Sequence, residues 1–269
     1  SNDYATSTCD MQIYMLNQVQ EQLYAKYNTE GSAPEDQVKG LFFTPAWYTT
    51  GSSGASSNLP KFQQLHEDIE ICFTGSDVFS SISNSSATTF KNWIGRTPVM
   101  WWNYPVNDYC DGNLMMSPLE NLDNDVDNLS GFFLNPMSQA EASKGAIFSG
   151  ADYSWNIGDF ERTSSWKRAI AELVPEANEA FERFADNISY IKDGFEFDES
   201  RYLVEDITNF QTALKNNMGI KEAAEVLKAD FTQMKEDVAL LRNINNANLL
   251  EEITMHLNAY EAVAEAGIA

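Results

Sequence analysis

Val99-Met100-Trp101-Trp102 is a run of four apolar residues that gives way at once to Asn103-Tyr104-Pro105-Val106-Asn107-Asp108. A run this short, rich in β-branched and aromatic residues and stopped by Asn and Pro, reads as a buried strand rather than a helix. Working outward, the pattern repeats on both sides. Apolar runs at 38–43, 69–73, 99–102 and 129–134 begin 31, 30 and 30 residues apart. Segments 59–66 and 87–94 lie between them and have the make-up of crossover helices. A strand-and-helix period of about 30 residues is what a parallel sheet needs, because each crossover must return to the same sheet edge.

Each run also leads into polar or aromatic chemistry. Thr44-Pro45-Ala46-Trp47-Tyr48 follows the first, Thr74-Gly75-Ser76-Asp77-Val78 the second, the Asn103–Asp108 stretch the third and Asn135-Pro136-Met137 the fourth. Pro, Gly and Asn would end strands in any case. Four such endings in succession, carrying Trp, Tyr, Asn and Asp, suit the ligand face that a (β/α)8 barrel builds at the C-terminal ends of its strands.

A complete barrel of that kind has eight strands and needs roughly 250 residues, yet strand patterns stop near residue 135. A helix over 11–26 precedes the first run, with apolar residues at Met11, Tyr14, Met15, Val19, Leu23 and Tyr24. An open four-stranded parallel sheet leaves its edges unpaired. The expected fold is therefore α/β followed by all-α. Strands 5–8 of an incomplete (β/α)8 TIM barrel occupy 1–157 and a helical bundle occupies 158–269, with the boundary near 156–165. The other four strands would lie upstream, belong to a separate chain or be absent.

The bundle is read from helical spacing. Gln139 to Tyr153 carries Ala140, Ala142, Ala146, Ile147 and Ala151, as the last barrel helix would. Further on, Trp166, Ile170, Leu173 and Val174 share a face that continues through Phe181 and Phe184. Ile220, Leu227, Phe231, Met234, Val238 and Leu241 form a second stripe, and Leu249, Leu250, Ile253, Leu257 and Tyr260 a third. Such stripes are read as bundle core, with polar breaks at 216–219 and 243–248 as helix connections.

Composition narrows the partners. Forty acids against 17 Lys plus Arg give a formal charge of −23. That charge repels phosphate, so neither nucleic acid nor an anionic membrane is an expected partner, while neutral sugars and glycoproteins remain open. Cys9, Cys72 and Cys110 lack metal-ligand spacing, and only His66 and His256 join them, so no metal site, cofactor or disulfide framework is expected. Cys72 and Cys110 are read as buried thiols and both histidines as structural. No apolar run is long enough to span a membrane, and no export signal is read at the N-terminus.

The stretch Val99-Met100-Trp101-Trp102-Asn103-Tyr104-Pro105-Val106-Asn107-Asp108-Tyr109 is similar to the signature of glycoside hydrolase family 84. That family holds bacterial β-N-acetylglucosaminidases, some labelled hyaluronidases, and the animal O-GlcNAcases. Phe43–Tyr48 resembles a block where members usually read Pro-Thr-Glu-Tyr, and Phe73–Val78 one usually reading Trp-Thr-Gly-Pro-x-Val. Asn135-Pro136-Met137, Gln139–Lys144 and Ala151–Asn156 follow in family order, so the likeness covers roughly residues 10–175. Trp47 stands where members carry Glu, and Phe73 where they carry Trp.

The resemblance implies removal of terminal β-linked N-acetylglucosamine with retention of configuration, an exception to the two-carboxylate nucleophile scheme. The sugar's acetamido oxygen attacks the anomeric carbon. One Asp orients that group, and the adjacent Asp serves as acid and then base. No Asp-Asp pair stands in this sequence. Asp3 is a single carboxylate in a terminal tail and is not taken as catalytic, so the chain alone is expected to be inactive. The resemblance further implies a substrate-binding set. Asp108 and Asn135 would meet the sugar's outer hydroxyls, and Asn103 its acetamido side. Trp101 and Tyr48 would form aromatic walls, with Val78 at the cleft edge. Duller readings stand beside these: Asp108 as a loop cap, Asn135 as the start of a turn, and Trp102 as sheet packing opposite Trp101.

The expected function is thus a fragment of a retaining β-N-acetylglucosaminidase acting on glycans or glycoproteins, with the missing half of the barrel as a further partner. The alternative is a non-catalytic carbohydrate-binding or interaction protein built from the same fold. The resemblance also implies export or display at the surface of a bacterium.

Overall fold

The structure, a computed structural model, describes residues 7–110, 112–120, 122–189 and 200–269. In chain order its elements are α1 (Thr8–Tyr27), β1 (Phe42–Phe43), α2 (Ala55–Asn58), β2 (Glu70–Phe73), α3 (Asn84–Ile94), β3 (Val99–Pro105), β4 (Gly131–Asn135), α4 (Lys144–Trp155), α5 (Arg162–Leu173), α6 (Asn178–Ile188), α7 (Val204–Asn216), α8 (Ile220–Leu241) and α9 (Ala247–Ile268), with short 3-10 turns between. The chain forms two compact units, one of residues 1–103 and 121–133 and the other of 104–120 and 134–269.

The first unit is organised by the sheet. Its strands run in the order β1-β2-β3-β4, with β1/β2 and β2/β3 parallel. The register pairs Phe43 with Ile71 and Phe73 with Met100. One face therefore carries Ile71, Phe73, Met100 and Trp102, all at most 1% exposed. Phe73 stacks on Phe90 of α3 at 4.8 Å, and the Trp102 indole donates to the Ser80 carbonyl at 2.9 Å. Ser83 caps the start of α3 by accepting from the Ser86 N–H, and Gly95 closes its end in the left-handed conformation.

The other face is a different surface. Phe42 is 61% exposed, Trp101 40% and Phe133 37%. The three rings meet edge to face, Phe42 with Phe133 at 5.1 Å and Trp101 with Phe133 at 6.1 Å. Parallel sheets are normally covered on both faces. Here one face is covered, while on the other Cys72 and Val99 are buried and the three rings stay open to solvent.

Two sequence expectations change here for local reasons. The run 38–43 contributes only Phe42 and Phe43 to the ladder. Val38 gives both its backbone groups to the Asn28 side chain, at 2.8 Å each, instead of to a neighbouring strand. The segment expected as an α-helical crossover at 59–66 is a 3-10 turn over Leu59–Gln64. Pro60 lacks the N–H that a longer α-helix would use there, and His66 falls beyond the turn. Between β3 and β4 no helix is found among the described residues.

The second unit is helical. α8 lies against α7, α6 and α9, and α4 packs on α5. Phe181, Phe184, Met234, Val238, Leu241, Leu249, Ile253, Leu257 and Tyr260 are buried, whereas Leu173, Ile220, Leu227, Phe231 and Leu250 of the expected stripes are only half-buried. Among them sits an ion pair: Arg183 grips Asp237 with two hydrogen bonds of 2.7 Å, and Asp237 is fully buried. A hydroxyl pair, Tyr202 and Tyr260 at 2.9 Å, shares Asn187 as donor. No helix among the described residues is long and apolar enough to cross a membrane.

Candidate functional site

In the first unit the segment after β1 is zipped to the segment after β2. Thr74 N donates to the Tyr48 carbonyl at 2.9 Å, and Thr50 and Gly51 N–H groups donate to Gly75 and Ser76 at 3.0 Å each. This extends strand-like pairing past both strands and fixes where Tyr48 sits. Gly75 makes the close turn possible. Its φ is +104°, and a Cβ there would lie 2.0 Å from the Ser80 hydroxyl, which itself anchors the turn by donating to the Thr74 carbonyl. The result is a cleft of about 230 Å3 lined by Tyr48, Thr49, Ser52, Ser76, Asp77 and Val78.

A chain of hydrogen bonds leads from that cleft to β3. Asp77 Oδ1 accepts from the Val78 N–H at 2.7 Å, and the Val78 carbonyl accepts from Asn103 Nδ2 at 2.8 Å. Asn103 Oδ1 in turn accepts from Trp101 Nε1 at 3.1 Å. Trp101 and Asn103 are two apart on one strand, so the pleat puts them on one face. The structure thus links Val78, Asn103 and Trp101 directly and sets Tyr48 on the same cleft as Val78. A half-exposed indole with a fixed edge offers a flat apolar wall beside an amide, a combination suited to an acetylated sugar.

Asp108 and Asn135 belong to the second unit. Asp108 is exposed in the turn after β3, and Asn135 is half-buried as the last residue of β4. The two segments are tied where the Val106 N–H donates to the Asn135 carbonyl at 2.8 Å. Asn107, 7% exposed, closes the turn by donating from Nδ2 to the Asn113 carbonyl at 2.9 Å. Tyr109, next to Asp108, has its phenol pushed well above the ordinary value, chiefly by burial.

Several expectations for other residues meet mixed outcomes. Trp102 is fully buried and packs as the strand alternation requires. Cys72 is buried, while Cys110 is only half-buried. His66 lies at the surface beside Asp68, and His256 lies within α9, its pKa lowered by burial. Asp3 lies outside the described residues. Among the described residues no group of three or more His, Cys, Asp or Glu is placed to hold a metal ion. Asp77 and Asn107 stand in the polar strand endings but are not among the site residues expected from the sequence. Their only signal was position, each immediately before a candidate residue.

Comparison with known proteins places the chain in a family. A family model described as beta-N-acetylglucosaminidase (NAGidase) matches residues 1–186. The chain is similar to the solved structure of CpGH84D at 28% identity and a TM-score of 0.87, covering 99% of this chain and 44% of that one. It is similar to CpGH84B at 28% identity and 0.81, covering 95% and 46%. A mutant of Thermobaculum terrenum O-GlcNAc hydrolase shares the fold at 21% identity and 0.84, covering 98% and 55%. The chain therefore spans about half the length of the solved structures it matches. With its parallel sheet, its helices and the ordered blocks from Phe43 to Asn156, the chain belongs to the beta-N-acetylglucosaminidase family, glycoside hydrolase family 84.

Proposed function

We propose that this chain is the sugar-gripping half of a retaining β-N-acetylglucosaminidase. Residues 1–157 form strands 5–8 of a (β/α)8 barrel, and 158–269 form an attached bundle. The observation that carries this reading is the cluster of exposed rings on one sheet face. Phe42, Trp101 and Phe133 point away from the packed core, where a closed barrel would bury most such rings. On this reading Tyr48, Val78, Trp101 and Asn103 surround the acetamido side of the sugar, and Asp108 and Asn135 receive its outer hydroxyls. The substrate is N-acetylglucosamine β-linked to a glycan or glycoprotein. The formal charge of −23 disfavours a polyanionic chain such as hyaluronan.

Catalysis needs more than this half holds. The mechanism implied for the family calls for two adjacent aspartates, one orienting the acetamido group and one serving as acid and base, and the sequence contains no Asp-Asp pair. Losing acid–base groups removes at least about two to four orders of magnitude of rate. The chain alone is therefore a binder, and turnover requires a polypeptide supplying the other four strands. No cofactor is invoked, since the substrate's own acetamido oxygen is the nucleophile.

The test combines the purified chain with the N-terminal barrel half of a full-length relative. The expected result is hydrolysis of an aryl β-N-acetylglucosaminide by the mixture and not by either part, and its loss with Asp108→Ala. Turnover by the chain alone, free of host enzyme, contradicts the proposal.

A further inference from the structure

We propose that the helical bundle holds the Asp108 turn in its binding position, with Ser189 and Trp166 as positioning residues. The inference rests on the reading of Asp108 as a receiver of sugar hydroxyls. It goes beyond that reading by giving the bundle a part in recognition.

The geometry points there step by step within the second unit. The turn is closed by Asn107, by the Cys110 N–H on the Asn107 carbonyl at 3.0 Å and by the Asn113 N–H on the Cys110 carbonyl at 2.9 Å. Asn113 leads directly into Leu114, Met115 and Met116, all at most 3% exposed. That buried run is stitched to the end of α6. Leu114 N donates to the Ile188 carbonyl at 3.2 Å, and Met116 N donates to Ser189 Oγ at 2.9 Å. Ser189, 1% exposed, shares its own proton between the Leu114 carbonyl at 2.9 Å and the Ala185 carbonyl at 2.6 Å. From α5, the Trp166 indole donates to the Met116 carbonyl at 2.7 Å.

These bonds are made to a loop backbone, and that is their significance. A surface loop normally samples many conformations, and each one frozen on binding weakens affinity. Two buried side chains, Trp166 in α5 and Ser189 just past the end of α6, meet both backbone groups of Met116. Two buried residues, Leu114 and Met115, then connect Met116 to the closed turn. The carboxylate of Asp108 is exposed, but the frame beneath it is not. Ser189 stands 81 residues beyond Asp108 in the sequence, so the link is made by the fold alone.

The test compares Ser189→Ala and Trp166→Phe with the parent chain in two measurements. In amide hydrogen exchange, both variants are expected to speed exchange at Leu114, Met116 and the turn by about tenfold, leaving α8 and α9 unchanged. In titration with N-acetylglucosamine, Ser189→Ala is expected to weaken binding roughly fivefold, and to add nothing in the Asp108→Asn background. Unchanged exchange over 107–116 in both variants overturns the proposal, as does an additive loss on top of Asp108→Asn, which would mark Ser189 as structural only. If the parent chain ignores the sugar, or Asp108→Asn binds it equally well, the Asp108 reading fails instead. The exchange data then decide by themselves whether the bundle fixes the turn.

Discussion

The two faces of the four-stranded sheet obey opposite rules, though the same strands supply both. One face buries Ile71, Phe73, Met100 and Trp102, with Phe73 stacked on Phe90 of α3 and Trp102 fixed by a hydrogen bond to Ser80. The other presents Phe42, Trp101 and Phe133 in the open, and the polar groups among them hold one another: Trp101 to Asn103 to Val78. The difference separates stability from recognition. On the function proposed above, residues on the sealed face set the stability of the unit and those on the open face set what it binds.

Substitutions can break that contrast, beginning with the largest effect. Trp102→Ala should cost about 3–5 kcal/mol of unfolding free energy, read by urea denaturation, because it removes a buried ring and orphans an acceptor. Trp101→Ala, one residue away, should cost under about 1 kcal/mol while abolishing N-acetylglucosamine binding. Similar costs for the two would erase the distinction.

The helical unit extends the comparison to a buried charge. Asp237→Ala leaves Arg183 half-buried without its partner and should destabilise by about 3–5 kcal/mol in the same assay. Replacing both by Arg183→Met and Asp237→Leu should recover most of the loss, since the desolvation of both charges disappears. A double variant no better than the single one would assign the pair a larger net contribution than its geometry supports.

Gly75→Ala follows, at roughly 1–3 kcal/mol, from a positive φ and a Cβ driven against Ser80. Its sharper consequence is in the cleft, where Tyr48 is located by the same turn. Binding should weaken more than stability falls.

The smallest effect concerns pH. Burial depresses the His256 pKa below the ordinary 6.5, opposed by a hydrogen bond to the Gly112 backbone. A folded-state value below the unfolded one means that the native state binds the proton less well. Stability is therefore complete above about pH 6.5 and declines as pH falls from there toward the folded value. The melting temperature should drop between about pH 7 and 5.5, and His256→Gln should flatten that drop. A variant with an unchanged slope removes His256 from the account.

Much of this was legible in the sequence because the forces involved are local. The four strand positions and the bundle stripes follow from periodicity, which burial enforces directly. Trp101 and Asn103 could be put on one face by counting two residues. What could not be read depended on partners distant in sequence. Nothing near Val38 announces that Asn28 will take its backbone groups, and nothing near Arg183 announces Asp237, 54 residues on. The 3-10 turn at Leu59–Gln64 was within reach, since Pro60 is plain to see, but apolar spacing outweighed it. In the site, residue types were legible, while the hydrogen bonds orienting them through Asp77 and Asn107 required coordinates.

One titration reaches the central claim most directly. N-acetylglucosamine is added to the 15N-labelled chain while the Trp101 indole N–H is followed, with Asp108→Asn in parallel. The account predicts a saturable shift of the Trp101 signal in the parent chain, weakened in Asp108→Asn, with no sugar released from a β-N-acetylglucosaminide by either protein. A Trp101 signal indifferent to the sugar at saturating concentration would contradict it.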